Sequence, residues 1–544
     1  MSKRVAAGAI ALITLTAACS STKHTTAPGA TTTTKPPTTT VAGCTPPATG
    51  PVQVAAVPNV ASDHTLTSFD GARIRLHWFP IANPPAKGAP TVLMGPGWGS
   101  GGSTDTQTSG AQGFMTIKDL RDAGYNVLTW DPRGFGVSTG TIEVDSADFE
   151  ARDVERLLDW VATQPGVQLD GPRDPRVGMV GASYGGGIQL TTAAIDCRVD
   201  AIVPSWAWNS LTTSLDKSLT PKTGWGTFLY GAAAGHQLDE HISAAQTSSL
   251  ATGVIPKTDR EWFAQRGPGN LVAKIHVPTL FVQGTVDTLF TLDEAVQNYE
   301  ILRAHDVPTA MIWFCGGHGV CLTNPGDQQQ VEQRQLDWLA HYVKRDSAVA
   351  TGPGFQTVDQ NGATYSAPSW PLKDGTAIAA SGSGTLSLVT GGGAGPAVVP
   401  AGTGGLLGNL VGPITPSKAT NAVNVTVPTG ATAAVIAGRP VLHLTYHGTA
   451  TGVRPMRVFA QLVDPTTGLV LGNQITPVSI VLDGKTHSSN AVLEMVAFTT
   501  KPAGSLILQI VATTVAYAQP RLGGSVTMTA KLELPRTTLT PTAR

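Results

Sequence analysis

Short apolar runs alternate with longer helical-period stretches from about Thr65 to Lys344. Residues 73–79, Arg-Ile-Arg-Leu-His-Trp-Phe, alternate with period two and predict an antiparallel edge strand. Residues 91–94, 125–130, 177–180, 201–203, 280–282 and 310–313 are mainly apolar runs of the kind buried on both faces of a sheet. Residues 114–123 and 147–164 carry helical periodicity between them. Strands alternating with helices predict a largely parallel sheet covered on both sides. Residues 205–272 interrupt the rhythm with Trp- and Leu-containing segments. They are expected to form a helical cap over the C-terminal edge of the sheet, where open α/β sheets bind ligands.

Beyond about Ala350 the pattern changes to short β-rich runs separated by turn signals: 458–463, 469–471, 478–482, 506–511 and 526–534. The Asp464-Pro465-Thr466-Thr467-Gly468 stretch is a turn between two of them. The uncharged, Gly-rich stretch 382–408 reads as a long loop or linker. The series predicts an all-β sandwich. At the other end, Lys3 and Arg4 precede a largely apolar run, Val5 to Leu15, and small residues follow it, as in an export signal. As a helix that run rises only about 16 Å, against about 30 Å for a bilayer core. Leu15-Thr16-Ala17-Ala18-Cys19 resembles a bacterial lipobox in which Cys19 would be lipidated, with Leu15 one place further from the cysteine than usual. Ordinary secretion with cleavage after Ala18 is the other reading, and both predict an exported protein of the cell envelope or medium. A Thr/Pro-rich tether follows, with TTTTKPPTTT at its centre. The expected organisation is signal 1–19, tether 20–58, α/β domain 59–350 with its cap at about 205–272, and β-sandwich 351–544.

The 544 residues are sufficient for this division. Charged residues make up 13%, and Lys+Arg 36 against Asp+Glu 37 leaves a net charge of −1. Such a balance offers no basic field for nucleic acid, and contact with a membrane is expected only through an N-terminal lipid.

The candidate chemistry starts at Gly181-Ala182-Ser183-Tyr184-Gly185, a G-x-S-x-G string between an apolar strand and a segment that can open a helix. A strand-to-helix turn this tight needs small flanking residues and holds the serine hydroxyl out at the sheet edge. A serine nucleophile needs a base and the base an orienting acid, in the chain order Ser, acid, His. His318, in a Gly-rich loop directly after the 310–313 strand, is the candidate base, ahead of His236, His241, His276, His305 and His341. Asp287, in the loop after the 280–282 strand, is the candidate acid, with Asp293 as rival and a helix N-cap as its alternative role. The backbone N–H groups of Tyr184 and of Trp98, in Gly95-Pro96-Gly97-Trp98-Gly99, are the expected oxyanion donors. Asp131 and Arg133 read as structural ties. Trp206 and Trp208 are candidates for a substrate pocket, with core packing as the other reading.

Asp70-Gly71, DPRGFG, GASYGGG, QGTVD and GGHG, followed by a β-sandwich, resemble the Xaa-Pro dipeptidyl-peptidase and cocaine-esterase family of α/β-hydrolases. The resemblance spans roughly residues 60–535. It implies a triad of Ser183, Asp287 and His318, a helical cap, a C-terminal jelly roll and an ester, amide or peptide substrate. Here Phe314-Cys315-Gly316-Gly317 stands before the histidine, where the family often has Gly-Pro-Trp and one further residue. A dipeptidyl peptidase also needs a carboxylate for the substrate's free amine, and Asp239, Glu240, Asp259 and Glu261 are the candidates in the cap. Acyl transfer by the same triad and a non-catalytic, envelope-tethered binding protein are the alternatives.

With Cys19 lipidated or removed, four cysteines remain in an exported chain. Cys315 and Cys321 flank His318 and are expected to brace its loop as a disulfide, leaving Cys44 with Cys197; free thiols are the alternative. No Cys/His cluster has zinc spacing, and neither a metal nor a cofactor is expected.

Overall fold

Runs that are apolar on both faces become the middle of one sheet. The strands are β1 (Ser62–Thr67), β2 (Arg73–Phe79), β3 (Thr91–Gly95), β4 (Asn126–Trp130) and β5 (Val177–Ala182). They continue with β6 (Val199–Ser205), β7 (Thr279–Gly284), β8 (Thr309–Phe314), β9 (Phe355–Val358) and β10 (Thr364–Ala367). In this computed structural model, which describes residues 44–50, 56–110, 113–373, 375–399, 412–451, 456–537 and 539–541, they lie in the order β1-β2-β4-β3-β5-β6-β7-β8-β9-β10. Thr540–Pro541 adds the last of the 11 strands. Pairing is parallel from β4 to β9 and antiparallel at both ends. Residues 1–43, with the expected export signal and Cys19, lie outside the described residues.

Three expectations change here. The segment 73–79 is antiparallel but not an edge, because β1 covers it with its own alternating pattern; period two reports the faces of a strand, not its number of neighbours. The sheet also runs past residue 350, since β9, β10 and the final strand belong to it rather than to the sandwich. Residues 44–50, expected in the tether, are fastened to the body by Cys44–Cys197, and Arg173 reaches Pro47 O at 2.8 Å.

The helices are α1 (Ile117–Asp122), α2 (Glu150–Val161), α3 (Tyr184–Ile195), α4 (Leu211–Leu215), α5 (Thr223–Ala232), α6 (Glu240–Thr252), α7 (Lys257–Ala264), α8 (Leu292–Ala304) and α9 (Gln329–Tyr342). Thr116 and Asp119 start α1 with a capping box. One buried layer sets Leu157 and Trp160 of α2, Leu190 of α3 and Tyr299 of α8 against the sheet, and the opposite layer sets Leu120 of α1 and Leu339 of α9 against it. Helices α4 to α7 stand between β6 and β7 and form their own apolar cluster with Trp208, Leu289 and Phe290. Among the described residues, no helix is long and apolar enough to cross a membrane.

The second part is a sandwich of β11 (Ile378–Ser387), β12 (Ala422–Pro428), β13 (Val441–Ala450), β14 (Met456–Val463), β15 (Val470–Ile480), β16 (Asp483–Val492), β17 (Ser505–Val511) and β18 (Gly524–Leu534). The two sheets have the orders β11-β18-β13-β16 and β12-β17-β14-β15. Leu444, Val458, Leu508 and Leu532 fill the space between them. The runs at 469–471 and 478–482 are joined in the single strand β15. The Gly-rich stretch is not a loop at its start, because β11 pairs with β18 from Ile378↔Leu534 to Ser387↔Ser525. A Cβ on Gly382 or Gly384 would lie 3.0 or 3.2 Å from Val425 or Val423 of the facing sheet, so glycine lets the layers approach. Both parts of the fold lie within the one unit Val41–Arg544.

Candidate active site

The register aligns the C-terminal ends of the central strands: Gly95 is opposite Gly181, Ala182 opposite Ser205, and Gly284 opposite Phe314. Four loops therefore leave the sheet side by side. In the first, Ser183 has φ 59° and ψ −119°, a left-handed value that strains any residue with a Cβ. Gly181, at φ 139°, admits the turn, and a Cβ on Gly185 would stand 2.2 Å from Gly95 O. The glycines of the string are thus dictated by backbone contact with the neighbouring loop. Gln189, buried in α3, locks the same turn: its amide donates to Gly181 O at 3.0 Å and Gly185 O at 2.8 Å, and its oxygen accepts from Val203 N.

His318 Nε2 is 2.7 Å from Ser183 Oγ, and His318 Nδ1 is 2.8 Å from Asp287 Oδ2. With Nδ1–H donating to the carboxylate, Nε2 is the lone-pair nitrogen that faces the serine. Asp287 is fully buried. Its Oδ2 also accepts the His318 N–H at 3.1 Å, while Oδ1 accepts from Leu289 N and Phe290 N at 2.9 and 2.8 Å. One carboxylate thus closes its own turn with one oxygen and orients the imidazole with the other. The N-cap of α8 is Thr291. Asp293 points instead to Arg439 of the sandwich. A Cβ on Gly317 would meet Asp287 Oδ2 at 2.6 Å, which explains glycine before the histidine. The Cys315–Cys321 disulfide closes the loop around His318.

Trp98 and Tyr184 meet edge to face at 5.3 Å, and with Ser183 they border a largely apolar cavity of about 100 Å³ under the cap. Trp98 Nε1 donates to Leu229 O at 2.8 Å. Trp208 also borders the cavity. Trp206 does not: it packs with Phe114 and Phe314 in the α1–α9 layer, joining Ala201 and Val203 of the preceding strand. The structure therefore gathers Ser183, Asp287, His318, Tyr184, Trp98 and Trp208, and assigns Trp206 to the core. Asp131 holds Gly102 N and Val137 N, and Arg133 forks onto Asp153 at 2.8 Å.

Other site residues escape a reading of the sequence. Lys222, fully buried, donates to Thr288 O and Leu289 O at 2.9 Å each, and Trp225 Nε1 donates to Thr288 Oγ1 at 3.1 Å, so the start of α5 grips the loop after Asp287. From β15, Gln474 donates to Asp287 O at 2.7 Å and Asn473 to Val320 O at 3.0 Å. The sandwich therefore holds the acid loop and the histidine loop together. The buried polar residue in the apolar run of α3 was the one available signal, for Gln189. Behind Tyr184, Glu150 and Asp145 are buried, and burial pushes Glu150 up to about 7 and Asp145 well above the usual carboxylate range. Among the described residues, no group of three or more His, Cys, Asp or Glu could hold a metal ion.

Residues 70–319 match the model of the X-Pro dipeptidyl-peptidase (S15) family. An α-amino acid ester hydrolase structure superposes with a TM-score of 0.66 at 13% identity, covering 92% of this chain and 100% of that one. A CocE/NonD family hydrolase from Staphylococcus aureus superposes with a TM-score of 0.61 at 13% identity, covering 88% and 93%. At such identities these two similarities establish the fold. A polyketide transferase from Penicillium sp. is 27% identical over 143 residues, 26% of this chain and 43% of that protein. The chain spans less than half the length of each curated relative it matches. Residues 70–319 thus resemble the X-Pro dipeptidyl-peptidase (S15) family, and the chain as a whole has the α/β-hydrolase fold followed by a β-sandwich.

Proposed function

We propose that the protein is an exported serine hydrolase that cleaves ester or amide bonds through an acyl-enzyme on Ser183. The observation that carries this reading is the continuous Ser183–His318–Asp287 hydrogen-bond chain at a strained strand-to-helix turn. In the first half-reaction Ser183 Oγ bonds to the substrate carbonyl carbon as its proton passes to His318 Nε2. The oxyanion is received by the N–H groups of Tyr184 and Trp98. The carbonyl–leaving-group bond then breaks, and the imidazolium returns the proton to the departing alcohol or amine. Water, activated by the same imidazole, releases the acid in the second half. Asp287, fully buried and hydrogen-bonded, stabilises the imidazolium that forms in each half. The two disulfides support export to an oxidising compartment.

The test is reaction of the purified protein with a fluorophosphonate, with the adduct located by peptide mass. Labelling at Ser183, absent from Ser183→Ala and strongly reduced in His318→Ala, is expected, together with loss of at least about 10⁴-fold in ester turnover for Ser183→Ala. No labelling of a folded protein favours a binding role instead. The similarity to a polyketide transferase supports one second reading, in which an acceptor hydroxyl replaces water; transferred product exceeding free acid would favour it.

A further inference from the structure

Resting on that reading, we infer that the site accepts a short, uncharged acyl group of about four carbons and excludes substrates with a free α-ammonium. The cavity beside Ser183 is bordered by Leu211, Leu215, Ile242, Ala245 and Phe263, all apolar, with Tyr184 and Trp98 at the same end as the nucleophile. His318 is not part of its wall; Phe290, edge-on to the imidazole at 5.2 Å, stands there instead. The leaving group takes its proton from His318, and the cavity, which Ser183 borders and His318 does not, is assigned to the acyl part. Its volume of about 100 Å³ compares with about 150 Å³ for an apolar cavity that admits benzene. That leaves room for roughly four carbons before a chain meets the cap.

Among the described residues no carboxylate borders this cavity. The five acidic cap residues lie elsewhere: Asp216 is 3.9 Å from Arg260, Asp239 caps α6, Asp259 binds His241 at 2.7 Å, Glu261 faces Lys257 at the surface, and Glu240 is exposed. Asp145 and Glu150 border a separate small void behind the Tyr184 ring, where burial favours their neutral forms. The one Lys, Arg, Asp or Glu on the wall is Lys222. The Nζ of Lys222 is turned to Thr288 O and Leu289 O, so a substrate ammonium would meet no counter-ion in largely apolar surroundings.

The experiment compares kcat/KM of the purified protein for methyl butyrate and methyl 2-aminobutyrate, which differ by one ammonium, and for p-nitrophenyl acetate, butyrate and dodecanoate. Butyrate is expected to exceed acetate by about 15-fold, from two further buried methylenes, with a fall at dodecanoate. The aminobutyrate ester is expected to lag methyl butyrate by at least about 100-fold. Gln246→Glu adds a carboxylate to the wall, beside Gly226, and should narrow that gap by about 10-fold. Ala245→Leu should move the optimum from butyrate to acetate. Equal or better turnover of the aminobutyrate ester, or of an alanyl-proline anilide, with Ser183 still labelled by fluorophosphonate, overturns the acyl assignment and leaves the hydrolase reading standing. Absence of both labelling and turnover overturns the reading beneath it.

Discussion

Ser183 sits in a left-handed conformation that costs a side-chain-bearing residue about 1–3 kcal/mol, and the chain on either side of it is fixed by polar groups that have no contact with the cavity. Gln189 holds the turn from α3. Tyr184, the next residue, rests its phenol on Glu150, whose carboxylate also accepts from Glu143 N at 2.7 Å and Ser146 N at 2.8 Å. Burial raises the Glu150 carboxyl from 4.5 to about 7. Between those values the unfolded chain has released its proton while the folded one still holds it, so this residue makes the protein less stable as pH rises from about 4.5 to about 7. The full difference is about 3 kcal/mol. Glu150→Gln removes the titration. Urea unfolding at pH 5 and pH 8 should show the variant gaining on the wild type by up to about 3 kcal/mol at the higher pH; parallel pH dependences would contradict this account.

At the scale of elements, the α/β half was legible because its information is local. Mainly apolar runs specify strands buried on both faces, and the G-x-S-x-G string is a steric requirement of one tight turn. His318 and Asp287 followed from their positions just after such strands. What escaped depends on contacts distant in sequence. The Gly/Ser/Ala composition of β11 resembles a linker until the facing Val423 and Val425 are known. Trp206 and Trp208 are two residues apart, yet one packs below the sheet edge and the other borders the cavity. Gln474 reaches Asp287 O across a separation of 187 residues, and no local pattern announces it. Because that bond fixes the backbone of the acid rather than any surface that holds substrate, Gln474→Ala should lower kcat by about 10-fold with little change in KM. Steady-state kinetics beside a melting curve decides it: an unchanged kcat, or a loss wholly matched by unfolding, would remove the sandwich from the mechanism.

For the whole molecule, the two disulfides close loops of very different size and so act on different properties. Cys44–Cys197 spans a separation of 153 residues and ties the segment 44–50 against α2 and Arg173. Cys315–Cys321 spans a separation of 6 and encloses His318, the proposed base. Loop-closure entropy in the unfolded chain gives the long bridge about 5 kcal/mol and the short one about 2 kcal/mol. The order of their effects on catalysis should be the reverse. Cys197 follows the C-terminal end of α3, about 18 Å along that 12-residue helix from Ser183 at its start. Cys315 begins the turn whose Gly317 sits against the Asp287 carboxylate, so loosening it frees the imidazole to leave its 2.7 Å contact with Ser183 Oγ. Replacing Cys44 and Cys197 by serine should therefore lower the unfolding free energy by about 5 kcal/mol with kcat retained below the transition. Replacing Cys315 and Cys321 should cost about 2 kcal/mol and yet reduce kcat by about 10-fold or more. Denaturant titrations and kcat measured on the same preparations separate the two cases, and equal catalytic losses in both pairs would mean that the short bridge has no specific hold on the histidine.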